Sequence, residues 1–162
     1  MPVLSIQFSG GQAQQSDGTI VQLPPGLALI QRGPILQVSI SVGQAVATQI
    51  LQAGGTLPAP ATGLALIDTG ASMTCVDDAA AAQLNLPVID VVNIASASHA
   101  SSQANIYPIQ IEVIGAPIVV AADRAAGAAL AAQGLLALIG RDVLQHCMLV
   151  YNGVTGSFSI AV

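Results

Sequence analysis

The sequence predicts an all-β domain, antiparallel and barrel-like or sandwich-like, with only isolated short helices. Three observations carry this. Period-two alternation is clear in "ILQVSISVG", where Leu36, Val38, Ile40 and Val42 share one face and Gln37, Ser39 and Ser41 the other. It returns in "IQIEV" (109–113) and in the closing "SFSIAV" (157–162). Gly, Pro and Asn separate one such run from the next, while helix signals are few and short.

Taken in order, residues 1–33 are rich in Gln, Gly and Pro and read as an arm or edge strands, with "TIVQL" (19–23) as one strand. The domain proper runs over 34–162. After the first alternating strand comes an insertion over 44–62, whose "QAGGTLPAPATG" (52–63) reads as a flexible loop. "GLALI" (63–67) is a strand. "DDAAAAQLNLP" is a helix, with Asp77 or Asp78 as N-cap, four alanines, and Pro87 as the stop. "VIDVVNI" (88–94) and "IQIEV" are strands joined by "ASASHASSQA" (95–104), which has no large side chain and suits the tip of a long hairpin. "IVVAA" (118–122) is a strand, and "DRAAGAALAAQG" (123–134) reads as a second helix, weakened by Gly127 and ended by Gly134. "RDVLQH" after Gly140 gives one or two helical turns, and "MLVYN" (148–152) precedes the last strand.

Composition bounds the function. The 162 residues are enough for one domain with a core. They are 53% hydrophobic and only 7% charged, with a mean hydropathy of +0.73. The longest apolar-rich stretch, residues 125–140, is Ala/Gly-rich, contains Gln133, and falls short of the roughly 20 residues a membrane span needs. No span is expected. The first 18 residues have no basic region and no long apolar core, so no signal peptide is read and a cytoplasmic location is expected. The net charge is −5, and the only cationic side chains besides histidine are Arg32, Arg124 and Arg141. No basic patch can form, which excludes nucleic-acid binding by counterion release. An apolar chain with few charges also suggests a surface covered by a second copy. Cys75 and Cys147 each lie in an apolar run, and the simpler reading is two buried reduced thiols. With no CxxC and no histidine pair at ligand spacing, no metal or cofactor is expected.

One residue stands out. "LALIDTGASMTCV" (64–76) is an apolar run that stops on Asp68. A strand end is a poor place for an ion without a role. Gly70 allows a tight turn and lets backbone N–H groups approach the carboxylate, and Thr69 supplies a hydroxyl. Splitting acid and base roles takes two carboxylates, because close like charges cannot both ionise. None of the other acids (Asp17, Asp77, Asp78, Asp90, Glu112, Asp123, Asp142) repeats the Asp-Thr-Gly setting. A symmetric dimer would supply the second by bringing two copies of Asp68 to its two-fold axis.

"ALIDTGAS" (65–72) resembles the active-site signature of aspartic proteases. About 70 residues on, "LIGRDVL" (138–144) resembles their second mark, two hydrophobic residues and Gly followed by a short helix. One Asp-Thr-Gly in a short chain resembles the retropepsins, of single-domain bacterial or retroviral type. The pattern covers roughly 34–162. The resemblance implies a retropepsin-like closed β-barrel domain, a half-pepsin, with one or two short helices and a flap hairpin. It implies a homodimer that hydrolyses peptide or protein substrates by water activation between two Asp68 carboxylates. Thr69 would bond across the dimer, and Gly70 would present its N–H to the carboxylate. Leu138, Ile139 and Gly140 would pack beside the loop. The flap would lie in 95–104, with Ser96, Ala97, Ser98, His99 and Ala100 near substrate. Ala71 is the retroviral choice where pepsins carry Ser, which leaves one donor fewer to the carboxylates and a milder acid optimum.

The flap segment lacks the aromatic of pepsin-like flaps and has few glycines, and the insertion and the Ala-rich 123–134 segment exceed the viral pattern. A catalytically silent peptide-binding or assembly module on the same fold is the alternative. "IDTGAS" also resembles the first phosphate loop of the actin and sugar-kinase group, but that family needs a longer chain and a second phosphate loop. Other residues read as structural: Asp77 and Asp78 as caps, Asp142 as a helix cap or a partner of Arg141 or Arg124, His146 as a helix-end residue, and Tyr107 and Tyr151 as core or interface aromatics.

Overall fold

The computed structural model describes the backbone of residues 2–96 and 99–162, and their side chains except at 95, 96 and 99–101. The elements run β1 (Val3–Gln7), β2 (Gly11–Gln14), β3 (Ile20–Leu23), α1 (Pro25–Arg32), β4 (Ile35–Val42), α2 (Gln44–Gln52), β5 (Ala61–Ile67), β6 (Cys75–Asp77) and α3 (Asp78–Gln83). They continue with β7 (Asp90–Ser96), β8 (His99–Val113), β9 (Ile118–Ala128), a 3-10 turn (Ala131–Gln133), β10 (Ala137–Ile139), α4 (Arg141–Leu144), β11 (Met148–Asn152) and β12 (Ser157–Ala161). Contacts divide the chain into two compact units, residues 36–145 and residues 1–35 with 146–162.

The larger unit is a closed barrel of six strands in the order β4–β5–β10–β6–β9–β8, shut by pairing of β8 with β4. The alternation read from sequence sets its wall. Val38, Ile40 and Val42 face inward and pair with Val113, Ile111 and Ile109. Long β8 serves two purposes. Its second half, 109–113, pairs with β4, while its first half pairs with β7 as a hairpin that extends beyond the barrel. The change falls at Pro108, which has no N–H for the ladder and whose carbonyl accepts from Gly43 N at 3.0 Å.

The all-β expectation holds, with three corrections. The barrel is mixed rather than antiparallel, since β5 pairs with β10 and β6 with β9 in parallel. Alternation along one strand carries no information about its neighbour's direction. There are also four α-helices instead of one or two among the described residues. Of the two unforeseen, α1 has Pro25 at its first position and Gly33 just past its end, whereas α2 buries no residue and fills much of the insertion. Finally, the helix expected over 123–134 is the second half of β9 followed by the 3-10 turn. Alanine favours helix intrinsically, but packing overrides that preference. Ala125 and Ala126 are fully buried between β8 and β6. At Gly127 a side chain would collide with Asp78 Oδ1 and Tyr107.

The predicted α3 is present, capped by Asp77, which accepts from Ala79 N and Ala80 N. Its other oxygen accepts from Leu130 N at 3.0 Å and Ala131 N at 2.8 Å. In the smaller unit β1, β12 and β11 form an antiparallel sheet, and β2 and β3 form a hairpin. Phe158 is its largest buried side chain, with Phe8 against it at a ring separation of 6.4 Å. Cys75 and Cys147 are not joined in a disulfide. Among the described residues no helix is long and apolar enough to cross a membrane.

Candidate active site

Apolar β5 and apolar β10 lie side by side in parallel, with Leu66 opposite Leu138 and Ile67 opposite Ile139. The ladder's last rung is Asp68 N to Ile139 O at 3.0 Å. The chain then turns, because Gly70 N at 2.8 Å and Ala71 N at 3.2 Å both donate to Asp68 Oδ1. This is an Asx-type turn, and it ties one carboxylate oxygen to the backbone. Asp68 Oδ2 has no hydrogen bond among the described residues. The carboxyl is half-buried and lines a cleft of about 580 Å³. Gly70, Ala71, Ser72, Met73, Cys75 and Leu138 complete one wall, and Val92, Asn93 and Ile94 of β7 form the other. Val92 and Ile94 also pack with Met73 and Cys75 on a buried cluster of Ala104, Ile106 and Ala126. The foot of the hairpin is therefore fixed to the loop.

The corner between β10 and α4 holds the loop from behind. A side chain on Gly140 would lie 2.5–2.8 Å from backbone atoms of Met73 and Thr74, so only glycine fits. Fully buried Thr74 accepts from Gly140 N through its Oγ1 at 3.1 Å and donates to Asp142 Oδ1 at 2.8 Å. Thr74 N donates to Asp142 Oδ2 at 3.0 Å. Arg141 N donates to Ala71 O at 3.0 Å. Its guanidinium Nη1 donates to Thr69 O at 2.7 Å and Gly70 O at 2.9 Å. The Cys75 thiol is pushed up to about 11 by burial, and the charges of Asp142 and Asp68 act in the same direction. Cys75 is therefore a neutral wall residue at ordinary pH.

The structure thus brings Asp68, Thr69, Gly70 and Ala71 together with Leu138, Ile139 and Gly140. Thr69 is exposed beside Asp68. Ser96 pairs with His99 near the hairpin's end, and Ala100 follows in β8. Ala97 and Ser98 lie outside the described residues. The ion pair suggested for Asp142 is corrected: Arg124 bonds Asp90 at 2.5 Å and Arg141 bonds carbonyls, while Asp142 accepts from Thr74 and, in the first turn of its helix, from Val143 N at 3.0 Å. Thr74 and Arg141 were missed as parts of the site. The signal available for them was a hydroxyl in an apolar run and a charge pair directly after "LIG". Among the described residues no three or more His, Cys, Asp or Glu side chains gather as metal ligands would.

Barrel and turn define the class: an all-β closed barrel carrying one Asp-Thr-Gly turn that lines a cleft. A crystal structure of a retropepsin-like aspartic protease from Rickettsia conorii is similar over 98% of this chain and 90% of that one, with 11% identity and a TM-score of 0.46. No protein-family model matches the chain, and no curated protein matches it.

Proposed function

We propose that the protein is an aspartic endopeptidase that acts as a homodimer, with two copies of Asp68 sharing one water. The observation that supports this best is the pose of Asp68. One oxygen is tied down by two N–H groups, and among the described residues the other has no hydrogen bond, in a cleft with mostly apolar walls. Two such carboxylates at a two-fold axis cannot both ionise, so one stays protonated. The ionised carboxylate takes a proton from water as it attacks the peptide carbonyl. The protonated carboxyl gives its proton to the carbonyl oxygen, and the leaving nitrogen is protonated as the tetrahedral intermediate collapses. Exposed Thr69 would bond across the dimer, and the β7–β8 hairpin would act as the flap. Met73, Leu138, Val92 and Ile94 favour extended peptides with apolar side chains.

The test is cleavage of a diverse peptide pool, read by mass spectrometry from acid to neutral pH, for wild type and Asp68→Asn. Cuts made by wild type and reduced by about 10²–10⁴-fold or more in the variant support the proposal. No cuts by folded, dimeric wild type would leave the peptide-binding module as the better reading.

A further inference from the structure

We propose that Arg141 is a positioning residue for Asp68, acting through the two peptide planes of the Thr69–Gly70–Ala71 turn. This inference rests on the role given to Asp68 above. A peptide unit is planar, with its C=O and N–H pointing in opposite directions. The Thr69 carbonyl and the Gly70 N–H belong to one such unit, and the Gly70 carbonyl and the Ala71 N–H to the next. The guanidinium Nη1 holds both carbonyl ends, at 2.7 and 2.9 Å. The same two units donate their N–H ends to Asp68 Oδ1, at 2.8 and 3.2 Å. The cation therefore bonds the backbone of the turn and not the carboxylate, yet it fixes the orientation of both donors.

Two effects follow. Rotation of either peptide about its flanking bonds would withdraw an N–H from Asp68, and the guanidinium blocks that rotation. A cation on a carbonyl also polarises its peptide, so the N–H at the far end becomes a stronger donor. The other charged or titratable groups around Asp68 are Asp142 on α4, turned to Thr74, and Cys75 on β6, while β7 presents only Val92, Asn93 and Ile94. Among the described residues, Arg141 is the one cation of this group.

The test is NMR of the full chain at one neutral pH, for wild type, Arg141→Met and Arg141→Lys, reading the amide protons of Gly70 and Ala71 and the carboxyl carbon of Asp68. Arg141→Met should shift both amides upfield and move the Asp68 carboxyl resonance. Arg141→Lys, which keeps the charge and an N–H donor, should restore part of each change. Unmoved amides in folded Arg141→Met overturn the proposal even if the carboxyl resonance moves, since a moved carboxyl alone would be charge acting through space. If Arg141→Met does not fold, Arg141→Gln takes its place, being shorter and uncharged, and unmoved amides there refute the role. The spectra can be read whether or not peptides are cut. A protein inactive on the peptide pool therefore tests the proteolytic reading and leaves this comparison standing.

Discussion

Gly140→Ala is the sharpest test of how the Asp68 loop is held. The added Cβ would lie 2.5 Å from Met73 C, 2.6 Å from Met73 O and 2.8 Å from Thr74 N. All three are backbone atoms of the loop that leads from Asp68 into β6, and none can swing aside as a side chain would. Overpacking of this kind costs up to about 3 kcal/mol. Separating the corner from the loop also stretches the 3.1 Å bond from Gly140 N to Thr74 Oγ1, worth about 1 kcal/mol. The expected loss is about 2–4 kcal/mol, a large share of the 5–15 kcal/mol typical of whole domains. For a chain of this length it corresponds to a fall in Tm of roughly 4–16 °C. Urea unfolding followed by circular dichroism reads it as a lower midpoint at unchanged slope. Gly11→Ala is the control, since its added Cβ meets nothing within 4 Å. It should change stability by about 0.5 kcal/mol or less. A Gly140→Ala loss under about 1 kcal/mol would show that the corner yields easily and does not clamp the loop.

Thr74→Val removes the hydroxyl between Asp142 and Gly140 N while keeping its shape, and should cost about 2 kcal/mol in the same unfolding assay, with Thr74→Ser recovering most of it. Asp77 should give the protein an acid-sensitive increment of stability. Burial pushes its carboxyl up, but N–H groups of Ala131, Ala80, Leu130 and Ala79 more than reverse this and leave it below the usual carboxylate range. A depressed folded value stabilises fully above the unfolded pKa of about 3.9, and the increment is lost as pH falls through the folded value. Wild type should therefore exceed Asp77→Asn in unfolding free energy at neutral pH, and the gap should narrow below pH ~4; parallel curves would refute the assignment. Ala71→Ser places a hydroxyl beside the N–H that already bonds Asp68, so the acid limb of the pH–rate profile should move to lower pH. An unmoved profile would disprove the expectation that Ala71 gives a milder acid optimum.

Much of the barrel was legible because the relevant signal is local. Val38, Ile40 and Val42 declare an inward face by spacing alone, and their partners on β8 do the same. What remained hidden depends on neighbours far along the chain. The run Ala125–Ala126 reads as helix until β6 and β8 are placed on either side of it. Beside it, Gly127 leaves no room for a side chain, because Asp78 Oδ1 and Tyr107 come too close. The same fact accounts for a membrane-like hydropathy without a span. Ala65, Ala125, Ala126 and Ala137 are fully buried in the barrel wall, so apolar content is used for close strand packing, not for lipid contact.

The site divides along the same line. Asp68 and Gly140 were visible because each sits in a short motif whose geometry is set by adjacent residues. Arg141 and Asp142 were visible only as a charge pair, and neighbouring opposite charges suggest a local ion pair. They face different needs instead. The first half of the loop turns its carbonyls toward the α4 corner, at Thr69 and Gly70, and carbonyls take a donor. The second half presents an N–H and a hydroxyl, both on Thr74, and these take an acceptor. A cation followed by an anion meets both in chain order, whereas the reverse order would set a carboxylate against two carbonyl oxygens and a guanidinium against an N–H. The order "RD" after "LIG" is thus dictated by the polarity of a loop some 70 residues earlier, a relation that no window on the sequence contains.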